Sequence, residues 1–446
     1  MKNLKPTLLS IALVSGLAAC NSPGSGTAST ASQELDTRWA IVSEANSVVA
    51  TQLSGEVNND VLADMNSKLA ALKKQCDSVP ALQNPPCHDD MERLRITANT
   101  TAKNASMNHN YPNPTFPMRV PDHVSPEMRK VLTDWVPYWQ KPTHKFPAVD
   151  DKAAWDFRII FADWLEVLIK ESQQWLVDLD VTVEEEYYGG VRSMVLTPSE
   201  NRHPDKVLIH LHGGAFYGSI PDILYERTAP LANEMGIKII SVDYKLMPGP
   251  PDENWDILDQ RDQAIAVWED VIGKHNYKPE NVGIYGCSAG SALTAMTTNE
   301  LSKRGGPLPG AAVLQGTMLD FTLDGDSYTT LRYQDPRTNV DHLIETIWPM
   351  LSITAEKAAD PRYSSLLDNY EDRPMPPTMV QVGTKEVFMS DAVRYYDTFR
   401  QAGHTTELDM YDGVTHCFQG YYQAPEAKVA VQRVAEWFEK YLGKRP

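Results

Sequence analysis

The pentapeptide Gly286-Cys287-Ser288-Ala289-Gly290 constrains this chain more than any other stretch. An apolar run, Val282 to Tyr285, precedes it, and a helix-like segment, Ser291 to Leu301, follows it. G-x-S-x-G between a strand and a helix is a turn that lifts a serine above the edge of a sheet. The two glycines are needed because side chains in so tight a turn would meet neighbouring backbone. The Ala289 amide then points where an oxyanion would form. Alone, such a pentapeptide is common, and three further stretches give it weight.

The chain around it supplies the sheet that the turn requires. Two alternating segments, LVDLDVTVEEEYY and VRSMVLTP, flank Gly189-Gly190 and read as an antiparallel hairpin. Apolar runs follow at 206–211, 237–244, 281–286, 311–316 and 378–383, separated by helical patterns such as Ile257–His275. Strands apolar on both sides and alternating with helices predict an α/β fold, a mostly parallel central sheet covered on both faces. A helix over Pro425–Leu442 closes the domain.

The other chemical stretches fall in a telling order. His210-Leu211-His212-Gly213-Gly214-Ala215-Phe216 follows the 206–211 strand, and small residues there let backbone amides turn inward. By position, Gly214, Ala215 and Ala289 are the expected oxyanion-hole donors, with His212 bracing the loop. Glu386 lies just past the end of the 378–383 strand, and His416 sits in a loop after the TELDMYD strand. Ser288, Glu386 and His416 form a nucleophile–acid–base order. In that arrangement His416 takes the serine proton and Glu386 orients the imidazole. Asp391 is the rival acid; Glu386 is preferred because it sits nearer the strand end. No metal or cofactor is called for.

These residues resemble the hormone-sensitive-lipase-like (bacterial esterase family IV) branch of the α/β hydrolases over about 120–442. The resemblance rests on HLHGGAF (210–216), VDYKLMP (242–248), GCSAG (286–290), DPRYSSLL (360–367), VGTKEVFMSDA (382–392) and HCF (416–418). Ala215 stands where a third glycine is commoner, Cys287 where an acid usually precedes the nucleophile, and Gly249 where a Glu is usual. The resemblance implies a helical cap over the sheet, mapping to about 112–177 and 320–376. Phe216, Tyr328, Tyr333 and Trp348 would then line the substrate pocket. It further implies a serine carboxylesterase acting on small to medium esters or lactones through an acyl-enzyme. A lipase, an amidase or a peptidase would use the same machinery, and a non-catalytic envelope binding protein would keep only the fold.

The chain has 446 residues, room for one large domain (111–446) and an extension. A net charge of -18 argues against nucleic acid, which wants a Lys/Arg surface. Residues 1–19 carry Lys2 and Lys5, then an apolar run from Leu8 to Val14, and end before Cys20. They resemble a bacterial lipoprotein signal, which implies acylation of Cys20 and a membrane anchor. Asn21 after that cysteine favours the outer membrane of the cell envelope. The apolar run is shorter than the ~18 residues of a spanning helix. Residues 20–34 read as a flexible tether, and 35–110 as a helical extension in which no catalytic motif appears. Export favours disulfides, so Cys76 and Cys87, either side of a Pro-rich turn, are expected to pair. Cys287 and Cys417 are expected as small buried fillers, with a bridge between them left open. Oligomeric state is not legible.

Overall fold

The computed structural model describes residues 120–134, 162–247 and 255–444 except 333, 336, 339, 341 and 342, with a few helical positions between 67 and 74. Cys20, Cys76, Cys87 and Tyr333 lie outside the described residues, as do the signal, the tether and nearly all of the extension.

An eight-stranded sheet in the order β1-β2-β4-β3-β5-β6-β7-β8 forms the centre. β1 (Val181–Tyr188) and β2 (Val191–Pro198) make the expected hairpin, with Tyr188 opposite Val191. Its two turn residues, Gly189 and Gly190, have φ of 57° and 81°. A two-residue hairpin loop with positive φ at both positions matches the natural twist of the strands. β2 pairs antiparallel with β4 (Lys238–Val242). All later pairings are parallel, through β3 (Val207–Leu211), β5 (Val282–Cys287), β6 (Ala311–Gln315), β7 (Thr378–Gly383) and β8 (Thr406–Tyr411). This is the mostly parallel sheet that the sequence pattern predicts.

Side chains alternate across a strand, and both faces are covered. Val207, Ile209 and Leu211 of β3 join one apolar cluster and Leu208 the other. On the first face lie α4 (Ile257–Gly273) and α5 (Ala289–Lys303), and on the second α2 (Ala162–Asp178), α3 (Tyr225–Met235) and α7 (Pro425–Tyr441). α4 starts where Asp256 accepts from the Leu258 amide while Asp259 accepts from the Asp256 amide, a capping box that satisfies two end donors. α6 (Met389–Gln401) covers β7 and β8 with Tyr395 and Phe399.

Two further pieces bear on the site. α1 (Pro126–Asp134) begins at Ser125, whose hydroxyl accepts from the Met128 amide at 3.1 Å and donates to Glu426 at 2.7 Å. Val124, Met128 and Leu132 then pack on Val414 and Phe418, beside the histidine loop. Between β6 and β7 an insertion of short helical turns (327–330, 343–350, 355–359, 365–367) folds over the first sheet face. It contributes Phe321, Leu343, Ile347 and Trp348 to that cluster.

Candidate active site

The carboxyl ends of β3, β5, β6 and β7 converge on one cavity of about 430 Å³. β5 ends at Cys287 and α5 starts at Ala289, leaving Ser288 alone at the bend with φ 60° and ψ -124°. Few residues other than glycine adopt that backbone, and such strain persists only where the surroundings impose it. Here the imposition comes from β3. A Cβ on Gly290 would lie 1.9 Å from the Leu211 carbonyl oxygen, and one on Gly286 would lie 2.4 Å from the Gly290 carbonyl carbon. Both glycines exist so that strand and turn can touch.

The loop after β3 bends back on itself through Gly214, Ala215 and Phe216, with φ of 126°, 51° and 67°. Its curl is closed by the Gly218 amide donating to the Gly214 carbonyl at 2.8 Å. From outside, the Met247 amide and the Gln260 side chain donate to the Phe216 carbonyl, and the Tyr244 hydroxyl donates to that of His212. His212 stacks on Tyr244 at 4.1 Å and bonds the Gly213 carbonyl through Nδ1, so its contacts are those of a brace. Ala289 is the first residue of a helix, where amides lack intrahelical partners. Among the described residues the Gly214 and Ala215 amides likewise have no backbone acceptor. All three residues line the cavity, as does Ser288.

His416 lines it too, from the loop after β8. Its Nδ1 lies 2.8 Å from Glu386 Oε2, while Glu386 Oε1 accepts from the Gly383 amide at 2.6 Å. Both side chains are buried. Burial pushes the His416 imidazole down to about 3, with Arg337 and Arg227 adding to the fall and Asp335 opposing it. Burial also raises the Glu386 carboxyl, opposed by the Gly383 amide and Arg337, which favour the carboxylate, and at 2.8 Å the two groups titrate as one pair. The imidazole is therefore held neutral. Asp391 lies elsewhere: its Oδ2 accepts from the Leu319 and Asp320 amides and from Tyr328, tying the insertion to α6. The Ser288 hydroxyl makes no hydrogen bond to a described residue. Such contacts are commonly looser without substrate and tighten when it binds.

Of the expected pocket residues, Phe216 and Trp348 line the cavity. Tyr328 does not. It is buried within the insertion, donating to Asp391 at 2.8 Å and packing edge-on against Phe388. A tyrosine hydroxyl in a core needs an acceptor, and here that carboxylate supplies it.

Three polar residues of the site escape a linear reading. Arg227, on α3, and Arg337, in the insertion, both line the cavity. Asp335 is buried and joins three loops, accepting from the Arg337 amide, the Val387 amide beside Glu386, and the Thr415 hydroxyl beside His416. Nothing in their local sequence sets them apart from surface charges.

Cys287 and Cys417, expected as unpaired fillers with a bridge left open, are joined by a disulfide across 130 residues of sequence. In the chain-entropy account a loop of that length stabilises by roughly 4–5 kcal/mol. Among the described residues no group of three or more His, Cys, Asp or Glu forms a metal-binding cluster, and no helix is long and apolar enough to cross a membrane.

Known proteins share this architecture. A family described as having the α/β-hydrolase fold matches residues 208–420. An esterase of Acinetobacter venetianus is 30% identical over 234 residues, covering 52% of this chain and 74% of that protein. An acetyl-hydrolase of Streptomyces hygroscopicus is 24% identical over 233 residues, with the same two coverages of 52% and 74%. The crystal structure of an esterase from the bacterial hormone-sensitive lipase family superposes with a TM-score of 0.60 at 24% identity, covering 72% of this chain and 99% of that one. At that identity the superposition speaks for the fold. With the strand order and the strained serine turn already in place, a relative at this identity matched over most of its length decides the family: the chain belongs to the α/β hydrolases.

Proposed function

We propose that the protein is a serine carboxylesterase of the hormone-sensitive-lipase-like kind, hydrolysing small to medium esters or lactones through an acyl-enzyme. Ser288 attacks the carbonyl carbon and His416 Nε2 takes its proton. Glu386 keeps the remaining proton on Nδ1 and stabilises the imidazolium. The Gly214, Ala215 and Ala289 amides hold the tetrahedral oxyanion. The alcohol leaves with the proton from His416, and water, deprotonated by the same imidazole, releases the acid. The observation that carries this reading is the Glu386–His416 pair at 2.8 Å, with His416 on a cavity that Ser288, Gly214, Ala215 and Ala289 also line. The names of the esterase and acetyl-hydrolase relatives support it.

The test is turnover of p-nitrophenyl esters from acetate to palmitate. A cavity of about 430 Å³, roofed by Leu343, Ile347 and Trp348, should favour acetate and butyrate over palmitate. A preference for palmitate would replace the small-ester reading with a lipase.

The pH profile gives a second expected result. The neutral imidazole is the working base, and its folded pKa lies below the ordinary 6.5. Lowering that pKa keeps the base deprotonated as pH falls, so activity is lost only as pH drops through the lowered value. The acid limb of kcat/KM should therefore lie below pH 6.5. A limb at or above the ordinary histidine value would contradict the burial argument.

A further inference from the structure

The disulfide occupies a particular place in the site. Cys287 immediately precedes Ser288, and Cys417 immediately follows His416. The bridge therefore runs from the nucleophile's neighbour to the base's neighbour, joining the β5 turn to the loop after β8. No strand pairing joins them directly, since β6 and β7 stand between β5 and β8 in the sheet. Both loops carry strained backbone at this point, φ 60° at Ser288 and φ 51° at Cys417. A shift of either loop moves one reacting group without the other.

We infer that the Cys287–Cys417 bridge is a positioning element of the reaction: it sets Ser288 against His416, and the enzyme turns over at full rate only while the bridge is closed. The inference rests on the assignment of Ser288 and His416 proposed above. Two surroundings sharpen it. Arg227 packs against the bridge, donating to the Cys417 carbonyl at 3.2 Å and approaching Cys287 Sγ at 3.9 Å. Cys417 Sγ also lies 3.5 Å from His416 Nε2, the nitrogen that must receive the serine proton. In the disulfide that sulfur has no hydrogen to offer. Once reduced, its thiol can donate to Nε2 and occupy the base. Reduction by a dithiol balances simply: two electrons and two protons enter the sulfur–sulfur bond, two thiols result, and the dithiol becomes a cyclic disulfide.

The test uses the full chain. Wild type is treated with dithiothreitol under native conditions, opening of the bridge is verified by alkylation of Cys287 and Cys417, and kcat, KM and melting temperature are measured on one sample. The expected result is a fall in kcat of about 10²-fold, the scale set by an ångström of misplacement, with KM within about twofold. Activity should return on reoxidation with oxidised glutathione. Cys287→Ala, which leaves the Cys417 thiol beside His416, should be slower than Cys287→Ala/Cys417→Ala, and the double variant should be slow and indifferent to dithiothreitol. Reduced wild type with both thiols alkylatable and kcat unchanged would overturn the inference, as would a double variant with the wild-type kcat. If the variants do not fold, the reduction and reoxidation of wild type decide alone. Should wild type hydrolyse no ester at all, the esterase reading fails instead. The bridge is then judged by whether dithiothreitol slows labelling of Ser288 by a fluorophosphonate.

Discussion

Ser288→Ala is expected to lower kcat/KM by about 10⁴- to 10⁶-fold, the range seen when a nucleophile is deleted from such a constellation. The strain at φ 60° belongs to the backbone and is imposed by the contacts of Gly286 and Gly290, so alanine inherits it unchanged. Alanine keeps the Cβ, and no hydrogen bond to a described residue is lost with the hydroxyl. Melting temperature should therefore move little while turnover collapses. The residual rate would come from the Gly214, Ala215 and Ala289 amides, which polarise a bound carbonyl without a nucleophile. Hydrolysis of p-nitrophenyl acetate and labelling by a fluorophosphonate are the two measurements. A variant that keeps a substantial share of wild-type turnover, or that still takes the label, removes Ser288 from the mechanism.

Glu386→Gln should cost nearly as much, and Asp391→Asn very little catalysis. Glutamine at 386 can still accept from the Gly383 amide, but its amide nitrogen then faces His416 Nδ1. That turns Nδ1 into an acceptor and puts the proton on Nε2, the nitrogen that should receive one. An analogous tautomer error in a serine protease lowers kcat by about 10⁴-fold. Asp391 differs because its Oδ2 accepts three bonds, from Leu319, Asp320 and Tyr328, and the carbonyl oxygen of asparagine can accept the same three. Burial and the Asp320 charge have already pushed the Asp391 carboxyl up to about 7, so replacing it with a neutral group removes little. Its effect should be confined to stability, about 1 kcal/mol. Measuring kcat and melting temperature for both variants checks the pair. The opposite ranking would move the acid to Asp391.

The contrast between these carboxylates shows what a linear reading can carry. Glu386 lies three residues past Gly383, the last residue of β7, and the parallel pairing of β7 with β8 brings that end beside the loop holding His416. Strand order thus converts sequence position into proximity. The same logic placed Ser288 at the end of β5 and the Gly213–Phe216 loop at the end of β3, neighbours in the sheet. Tyr328 failed for the complementary reason. It sits in an insertion of short turns with no ladder to propagate direction, and its hydroxyl is turned to the Asp391 carboxylate. Arg227 and Arg337 were invisible because a charged side chain is usually solvated; only the folded chain brings α3 and the insertion to the wall of the same cavity.

The sequence alone therefore determined the elements that periodicity and glycine encode. These are the strands, the alternation of helices, the tight turn at Ser288 and the order of the three chemical loops. Those features depend on backbone sterics and on burial with a period of two or 3.6 residues, which are local. Tertiary structure decided everything that joins residues far apart in the chain. It chose which carboxylate meets His416, which aromatic rings face the cavity, and how Asp335 links three loops. It also brought Cys287 to Cys417 across 130 residues. Their places beside Ser288 and His416 left a bridge open in the sequence; that the two side chains meet in space is set by how the sheet orders β5 to β8.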